Sequence, residues 1–307
     1  MHEGRTMTTP QSARPRLMLL FTTTGYEARE FVQAAQHLGV DTVLGSDRCH
    51  VLNDPWQDGA LPLRFERPHE AAQHILEYAR SQPLDAILPV GDTSVLTAAL
   101  ANQALGLWHN DPDAAAASRN KFLMRQLLRD AGLRVPWFAS FPMSADPRIL
   151  QPEVPYPCVL KPLALSASRG VMRANTPAEF IRAFWRLRAL LETPEIRLKQ
   201  DEAHDAILVE SFIPGFEVAL EGLLTAGRLQ VLALFDKPDP LDGPFFEETL
   251  YITPSRLKPE TQDAVMRCTE QAAHALGLVH GPLHAELRIN QEGPWILEVA
   301  ARAIGGL

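Results

Sequence analysis

At 307 residues and 34.0 kDa, the chain can hold two or three small domains with a sizeable buried core. Hydrophobic residues make up 46% and charged residues 21%, an ordinary globular composition that excludes a mainly disordered chain. The net charge of −8 argues against a nucleic-acid partner, and no run approaches the roughly 18 apolar residues of a spanning helix, which argues against a membrane role.

Residues 1–15 lack the apolar core of a secretion signal and read as a loose tail, with Met7 as an alternative start. Leu17–Phe21 is a short, continuous apolar run, the pattern of a strand buried on both faces. A turn through Thr22–Gly25 follows, and then Ala28, Phe31, Val32, Ala35 and Leu38 recur at helical spacing until Gly39. Strands at 41–44, 61–65 and 85–90 and a helix at 68–81 complete a β-α-β alternation. That predicts a parallel, doubly wound sheet up to about residue 110. The first turn carries one glycine, Gly25, where a dinucleotide-binding loop needs G-x-G-x-x-G, so a nicotinamide cofactor is disfavoured.

A helix over 113–131 and a Pro-rich connection over 136–157 come next. Strands are expected near 157–161, 170–174 and 206–212, with a helix at 176–191. Beyond these lie β-rich stretches at 216–235 and 246–252, a helix at 259–276, and strands at 283–289 and 295–299. This is an α+β region of about 195 residues without internal repeats. Cys49, Cys158 and Cys268 are scattered, with no CxxC pair, and read as reduced thiols of a cytoplasmic protein.

Four segments carry candidate chemistry. Lys161 ends an apolar strand before the small-residue loop Ser166-Ala-Ser168-Arg-Gly170, a way to bring an ammonium and free N–H groups to phosphates. The plain alternative is a hairpin with a surface lysine. Only five of the 29 basic residues are lysines, which favours the first reading slightly. Glu210 and Glu217 flank Ser-Phe212-Ile213-Pro-Gly-Phe, where backbone could line a purine slot and the second acid could accept from ribose hydroxyls. The alternative is two edge carboxylates.

In the last two strands, alternation puts His284, Glu286 and Arg288 on one face, and Glu298, Ala300 and Arg302 on one face of the next. Paired as a hairpin around Asn290–Gly293, they bring two acids together beside a basic group, as Mg²⁺ chemistry requires. The apolar residues between them make an ordinary solvated face a poor alternative. His280 and His284 have metal-like spacing, but Gly281-Pro282 between them cannot hold a helical turn, which disfavours zinc. Ser94, Ser168 and Ser211 lack a G-x-S-x-G context for a serine nucleophile.

Taken in order, these segments resemble the ATP-grasp superfamily, in particular its carboxylate–amine ligase branch, which includes bacterial L-amino-acid ligases. The resemblance implies a Rossmann-like α/β pre-ATP-grasp domain at 16–112 and an α+β ATP-grasp domain at 113–307. The second divides into a central part at about 135–213 and a C-terminal part at about 214–307. It implies ATP and Mg²⁺ as cofactors, with Mn²⁺ able to replace Mg²⁺, and small-molecule carboxylate and amine substrates, most naturally amino acids. A homodimer is compatible with it.

Residue by residue, it implies phosphate contacts at Lys121 and Lys161, a phosphate-covering loop at Ser166, Ser168 and Gly170, and an adenine hinge at Glu210, Phe212 and Ile213. Glu217 maps to the ribose acid, Glu286 and Glu298 to the metal acids, and Arg302 to the substrate side. His284 is placed to orient substrate or move a proton. Asp236-Lys237-Pro and Gly243-Pro-Phe-Phe-Glu-Glu resemble the loop laid over the substrate. Two departures stand out. The family's Glu-x-Asn reads Glu298-Val-Ala300 here, which leaves one metal position short of an amide. The chain also stops at Leu307 where relatives run on, which leads to an expectation of truncation and of ATP binding with poor ligation. The alternative function is therefore an ATP-binding protein with little or no turnover.

Overall fold

The structure, a computed structural model, describes residues 14–22, 28–47, 59–246 and 250–305. Gly25, Cys49 and almost all of the expected tail lie outside these residues.

The first layer follows the sequence closely. Strands β1 (Arg16–Phe21), β2 (Asp41–Ser46), β3 (Leu61–Pro62) and β4 (Ala86–Pro89) form a parallel sheet in the order β3-β2-β1-β4. Met18, Leu19 and Leu20 of the central strand have no exposed surface, as expected for a strand covered on both faces. Helices α1 (Ala28–His37), α2 (Pro68–Ser81) and α3 (Val95–Leu105) accompany the sheet. Helix α3 has no counterpart in the sequence reading. Its sequence, VLTAALANQAL, is apolar nearly all round, so no stripe marks it. Leu38, counted with α1's apolar stripe, lies past its end and is exposed.

The expected helix over 113–131 is two helices, α4 (Pro112–Arg119) and α5 (Lys121–Asp130). Asn120 breaks them: its backbone is extended, and its side chain accepts from the N–H groups of Phe122 and Leu123 as the cap of α5. The break makes Lys121 the first residue of a helix.

A second sheet, in the order β5-β8-β6-β7, is antiparallel: β5 (Phe138–Pro142), β6 (Cys158–Pro162), β7 (Met172–Ala174) and β8 (Ala206–Ser211). Strand β5 falls in the stretch read as a Pro-rich connection. As an edge strand it tolerates Pro142 at its end. Helices α6 (Pro147–Leu150) and α7 (Pro177–Leu191) and the short α8 (Pro194–Arg197) surround this sheet. Phe180, Phe184, Leu187 and Leu191 of α7 close its core.

The third sheet, in the order β10-β9-β11-β12, comprises β9 (Phe216–Thr225), β10 (Arg228–Lys237), β11 (Gly281–Asn290) and β12 (Gly293–Ala300), all antiparallel. Helix α9 (Pro259–Leu276) matches its expected bounds and packs on this sheet together with α4 and α5. The hairpin turns between Asn290 and Gly293, as anticipated. Of the strand expected at 246–252, residues 247–249 lie outside the described set. The rest makes a single bridge, from Ile252 to Asp236.

Two details position the site. Between Glu286 and Leu287 the β11–β12 register slips, leaving Leu297 as an extra residue beside Glu298. Gly215, at φ 126°, turns the chain from β8 into β9, and a Cβ there would lie 2.2 Å from the Ile289 carbonyl oxygen. Only glycine allows that approach.

Candidate active site

Between the three sheets lies a cleft of about 530 Å³, within the ordinary size range of small-molecule sites. Its lining includes Lys121, Lys161, Ser166, Ser168, Glu210, Phe212, Ile213, Glu217, His284, Glu286, Glu298 and Arg302. Of the expected site residues only Gly170 does not line it. Gly170 takes φ 81° and sits so close to Leu187 and Leu190 of α7 that a side chain would collide with them, which gives it a packing role.

At one end, Lys121 is locked into place. Its backbone N–H donates to Leu163 O at 2.9 Å, and its Nζ donates to Leu165 O at 2.8 Å and lies 3.2 Å from Glu298 Oε2. Lys161, next to last in β6, is buried with its Nζ 2.5 Å from Glu210 Oε2, so it is not the surface lysine of the hairpin alternative. Burial pushes the Lys161 ammonium below its usual range, while Glu210 pulls it back up. Between the lysines and α7 runs the Ser166–Gly170 loop. Ala167 and Ser168 are both left-handed, at φ 55° and 52°, a conformation that costs roughly 1–2 kcal/mol per residue. Val171 N–H to Ser168 O and an Arg169–Glu195 pair hold it.

Along the hinge, Glu210 and Glu217 are buried, which removes the edge-carboxylate alternative. Arg125, on the inner face of α5, donates from Nε to Glu210 Oε1 at 2.5 Å. Burial alone would raise the Glu210 carboxyl; Arg125 and Lys161 outweigh it and hold it at about 2. Arg288 Nε donates to Glu217 Oε1 at 2.8 Å, and the other two nitrogens of its guanidinium donate to the Ile213 and Leu241 carbonyls. Two guanidinium groups approach the Phe212 ring, Arg173 at 3.9 Å and Arg288 at 4.8 Å from its centroid. Its N–H donates to Pro157 O.

At the far end, Glu286 and Glu298 sit directly opposite across β11 and β12. Lys237 Nζ lies 2.9 Å from Glu286 and 3.6 Å from Glu217, so one ammonium serves two carboxylates. His284 places Nδ1 2.5 Å from Glu221 and Nε2 3.5 Å from Glu286. Burial opposes charge on its ring, yet these two acids overcome it and raise the imidazole to about 9. His284 and Lys237 in turn hold Glu286 well below the usual carboxylate range against its burial.

Arg302 departs from the expected strand face, because β12 ends at Ala300 and Arg302 lies in the bend beyond. It still reaches the cleft, where Asp92 from the first layer grips it with two bonds of 2.7 and 3.0 Å. Ala300 is buried opposite His284 and does not line the cleft. His280 turns its ring to the Ala226 N–H and to Trp108, and His284 turns to Glu221, so the two do not form a pair.

The sequence reading missed Arg125, Asp92 and Glu221, and it gave Lys237 a place only in a covering loop. Lys199 also lines the cleft and was not singled out as a site residue. Arg125 sits four residues after Lys121 on the face of α5 shared with Met124 and Leu128, but its partners lie on β8 and β12, which helical spacing does not show.

The cleft lined by lysines and acids thus lies between one parallel and two antiparallel sheets. Family models match over two stretches: an ATP-grasp N-terminal domain at residues 32–109 and an ATP-grasp domain at residues 154–307. The chain belongs to the ATP-grasp family. It is similar to alanine–anticapsin ligase of Bacillus subtilis strain 168, 27% identical over 251 residues covering 77% of this chain and 52% of that protein. It is also similar to carnosine synthase 1 of Gallus gallus, 30% identical over 78% of this chain and 27% of that one. Among solved structures, an L-amino acid ligase from Bacillus licheniformis superposes with a TM-score of 0.80 at 29% identity, covering 95% of this chain and 69% of that chain. The chain spans about half the length of the first curated relatives it matches. No helix among the described residues is long and apolar enough to cross a membrane.

Proposed function

We propose that this chain is an ATP-dependent carboxylate–amine ligase, joining a small carboxylate, most naturally an amino acid, to an amine. The observation that carries the reading is the convergence of Lys121, Lys161, Glu286 and Glu298 in one cleft, in the order the family uses. The resemblance to named ligases supports it.

In this reading Lys121 and Lys161 bind the phosphates, the Ser166–Ser168 loop covers them, and the hinge at Glu210, Phe212 and Ile213 faces the adenine. Glu217 accepts from the ribose. Glu286 and Glu298 supply hard oxygen donors on directly paired residues, a donor set that fits Mg²⁺ or Mn²⁺ completed by phosphate oxygens. Bound there, the ion shields charge on the phosphoryl group in transfer. The carboxylate oxygen attacks the γ-phosphorus, ADP leaves, and an acyl phosphate forms. The amine then attacks the carbonyl carbon, phosphate departs, and the amine's extra proton must leave. Arg302, its guanidinium fixed by Asp92, faces the carboxylate, and the charged His284 beside Glu286 orients it. The Ser166–Ser168 loop keeps water from the acyl phosphate.

The test is ADP and phosphate release with ATP, MgCl₂ and pooled amino acids, with mass spectrometry for the amide. Amino-acid-dependent ADP release with a matching amide is expected. ATP binding without such release supports the second reading, a nucleotide-binding protein without turnover. Ala300, standing where the family has asparagine, favours that second reading.

A further inference from the structure

Arg125 is the largest fully buried side chain among the described residues, yet it carries a permanent charge and does not line the cleft. It stands behind the cleft wall where three elements meet. From α5 it reaches Glu210 of β8 through Nε at 2.5 Å and through Nη2 at 3.5 Å. The same Nη2 donates to the carbonyl of Leu297 in β12 at 2.9 Å. Glu210 in turn grips Lys161, and Leu297 is the extra residue of the register slip, directly before Glu298. Its remaining nitrogen, Nη1, is buried with no partner among the described residues. A buried donor left unmade is costly, so the guanidinium holds this pose for what its other two nitrogens do.

We propose that Arg125 is a positioning residue that sets Lys161 through Glu210 and, at the same time, sets Glu298 through the Leu297 carbonyl. One rigid fork thereby ties the phosphate lysine to the metal acid across two sheets. A planar guanidinium can serve both acceptors; a lysine ammonium is a single point charge that can satisfy Glu210 but not the fixed pair. The inference rests on the ATP-site reading above and adds a residue to it.

The test uses the full chain, with ATP and MgCl₂ as probes. ATP affinity is measured by displacement of a fluorescent ATP analogue, and the Mg²⁺ midpoint is measured at saturating ATP. Arg125→Lys keeps the buried charge paired and is expected to fold. Its ATP Kd should rise by about tenfold or more, and its Mg²⁺ midpoint should rise with it. A structural filler role would lower Tm and move neither quantity, and that result overturns the proposal.

Lys161→Ala, run in parallel, separates the two levels of the argument. Unchanged ATP affinity in that variant removes the ATP-site reading itself. Weakened affinity there, with wild-type behaviour in Arg125→Lys, removes only the positioning role. Should Arg125→Lys fail to fold, Glu210→Gln is compared with the double variant Arg125→Met/Glu210→Gln, which leaves no carboxylate stranded beside the lost arginine. A higher Mg²⁺ midpoint in the double variant supports the Leu297 link, and equal midpoints overturn it.

Discussion

Glu210 and Glu217 stand at the two ends of one hinge, 2% and 7% exposed, and each is faced by one arginine and one lysine. Burial loses at the first and wins at the second: Glu210 is held at about 2, whereas burial pushes Glu217 above its ordinary value. The difference lies in how closely the cations approach. Arg125 and Lys161 both approach Glu210 to 2.5 Å. At Glu217, Arg288 sits at 2.8 Å but also serves two carbonyls, and Lys237 stands 3.6 Å away, nearer to Glu286. Glu286 itself repels Glu217. Identical residue types, both buried, thus take opposite shifts: Arg125 also serves the Leu297 carbonyl, but it and Lys161 approach Glu210 more closely than Arg288 and Lys237 approach Glu217.

Removing the acids should break the symmetry further. Glu210→Gln strands two buried cations, and breaking a buried pair from one side costs about 3–5 kcal/mol. Glu217→Gln leaves Arg288 with its carbonyls and Lys237 with Glu286, so about 1–2 kcal/mol is expected. Urea unfolding of both variants measures this. Equal losses would show that the closeness of the cations does not govern the pair.

Next in size is Glu298→Gln, which removes charge from the acid next to the Leu297 link. If Glu286 and Glu298 hold the ion, ATP turnover should fall by about a hundredfold or more. Turnover within a few-fold of wild type would place the metal elsewhere. Lys161→Ala follows, with ATP affinity expected to fall about tenfold to a hundredfold for one charge-assisted contact. The sequence alone gave no reason for this change to lower Tm. The structure does, since Glu210 keeps only Arg125 after the loss of Lys161, and a modest drop in Tm should accompany the weaker binding.

What was legible follows physical range. Strand β1, helices α2 and α9 and the Asn290–Gly293 hairpin were readable because local periodicity and turn chemistry decide them. So was the shared face of His284, Glu286 and Arg288, which needs only strand alternation. Arg125 was not, because its partners are 85 and 172 residues away. Helix α5 also conceals it by inverting the usual pattern: Leu123 and Leu127 are exposed, while Lys121 and Arg125 are buried. Asp92 was hidden for the same reason, since its partner Arg302 lies 210 residues on. Helix α3 escaped because an all-round apolar helix has no stripe to read.

The smallest expected effect is on the pH dependence of folding, where the two acids should pull in opposite directions. Glu210 has a folded value of about 2 against 4.5 for the free side chain. Its contribution is therefore complete above the unfolded value and is lost as pH falls from there toward 2. Glu217, raised in the fold, contributes fully below its unfolded value and less as pH rises through its folded value. Between about pH 5 and about pH 3.5, Glu210 alone should remove about 1 kcal/mol of stability. Urea midpoints across that range should flatten on the acid side in Glu210→Gln. In Glu217→Gln they should instead lose part of the decline above about pH 4.5. An acid limb as steep in Glu210→Gln as in the wild type would mean that the Arg125 and Lys161 clamp does not hold this carboxylate ionised.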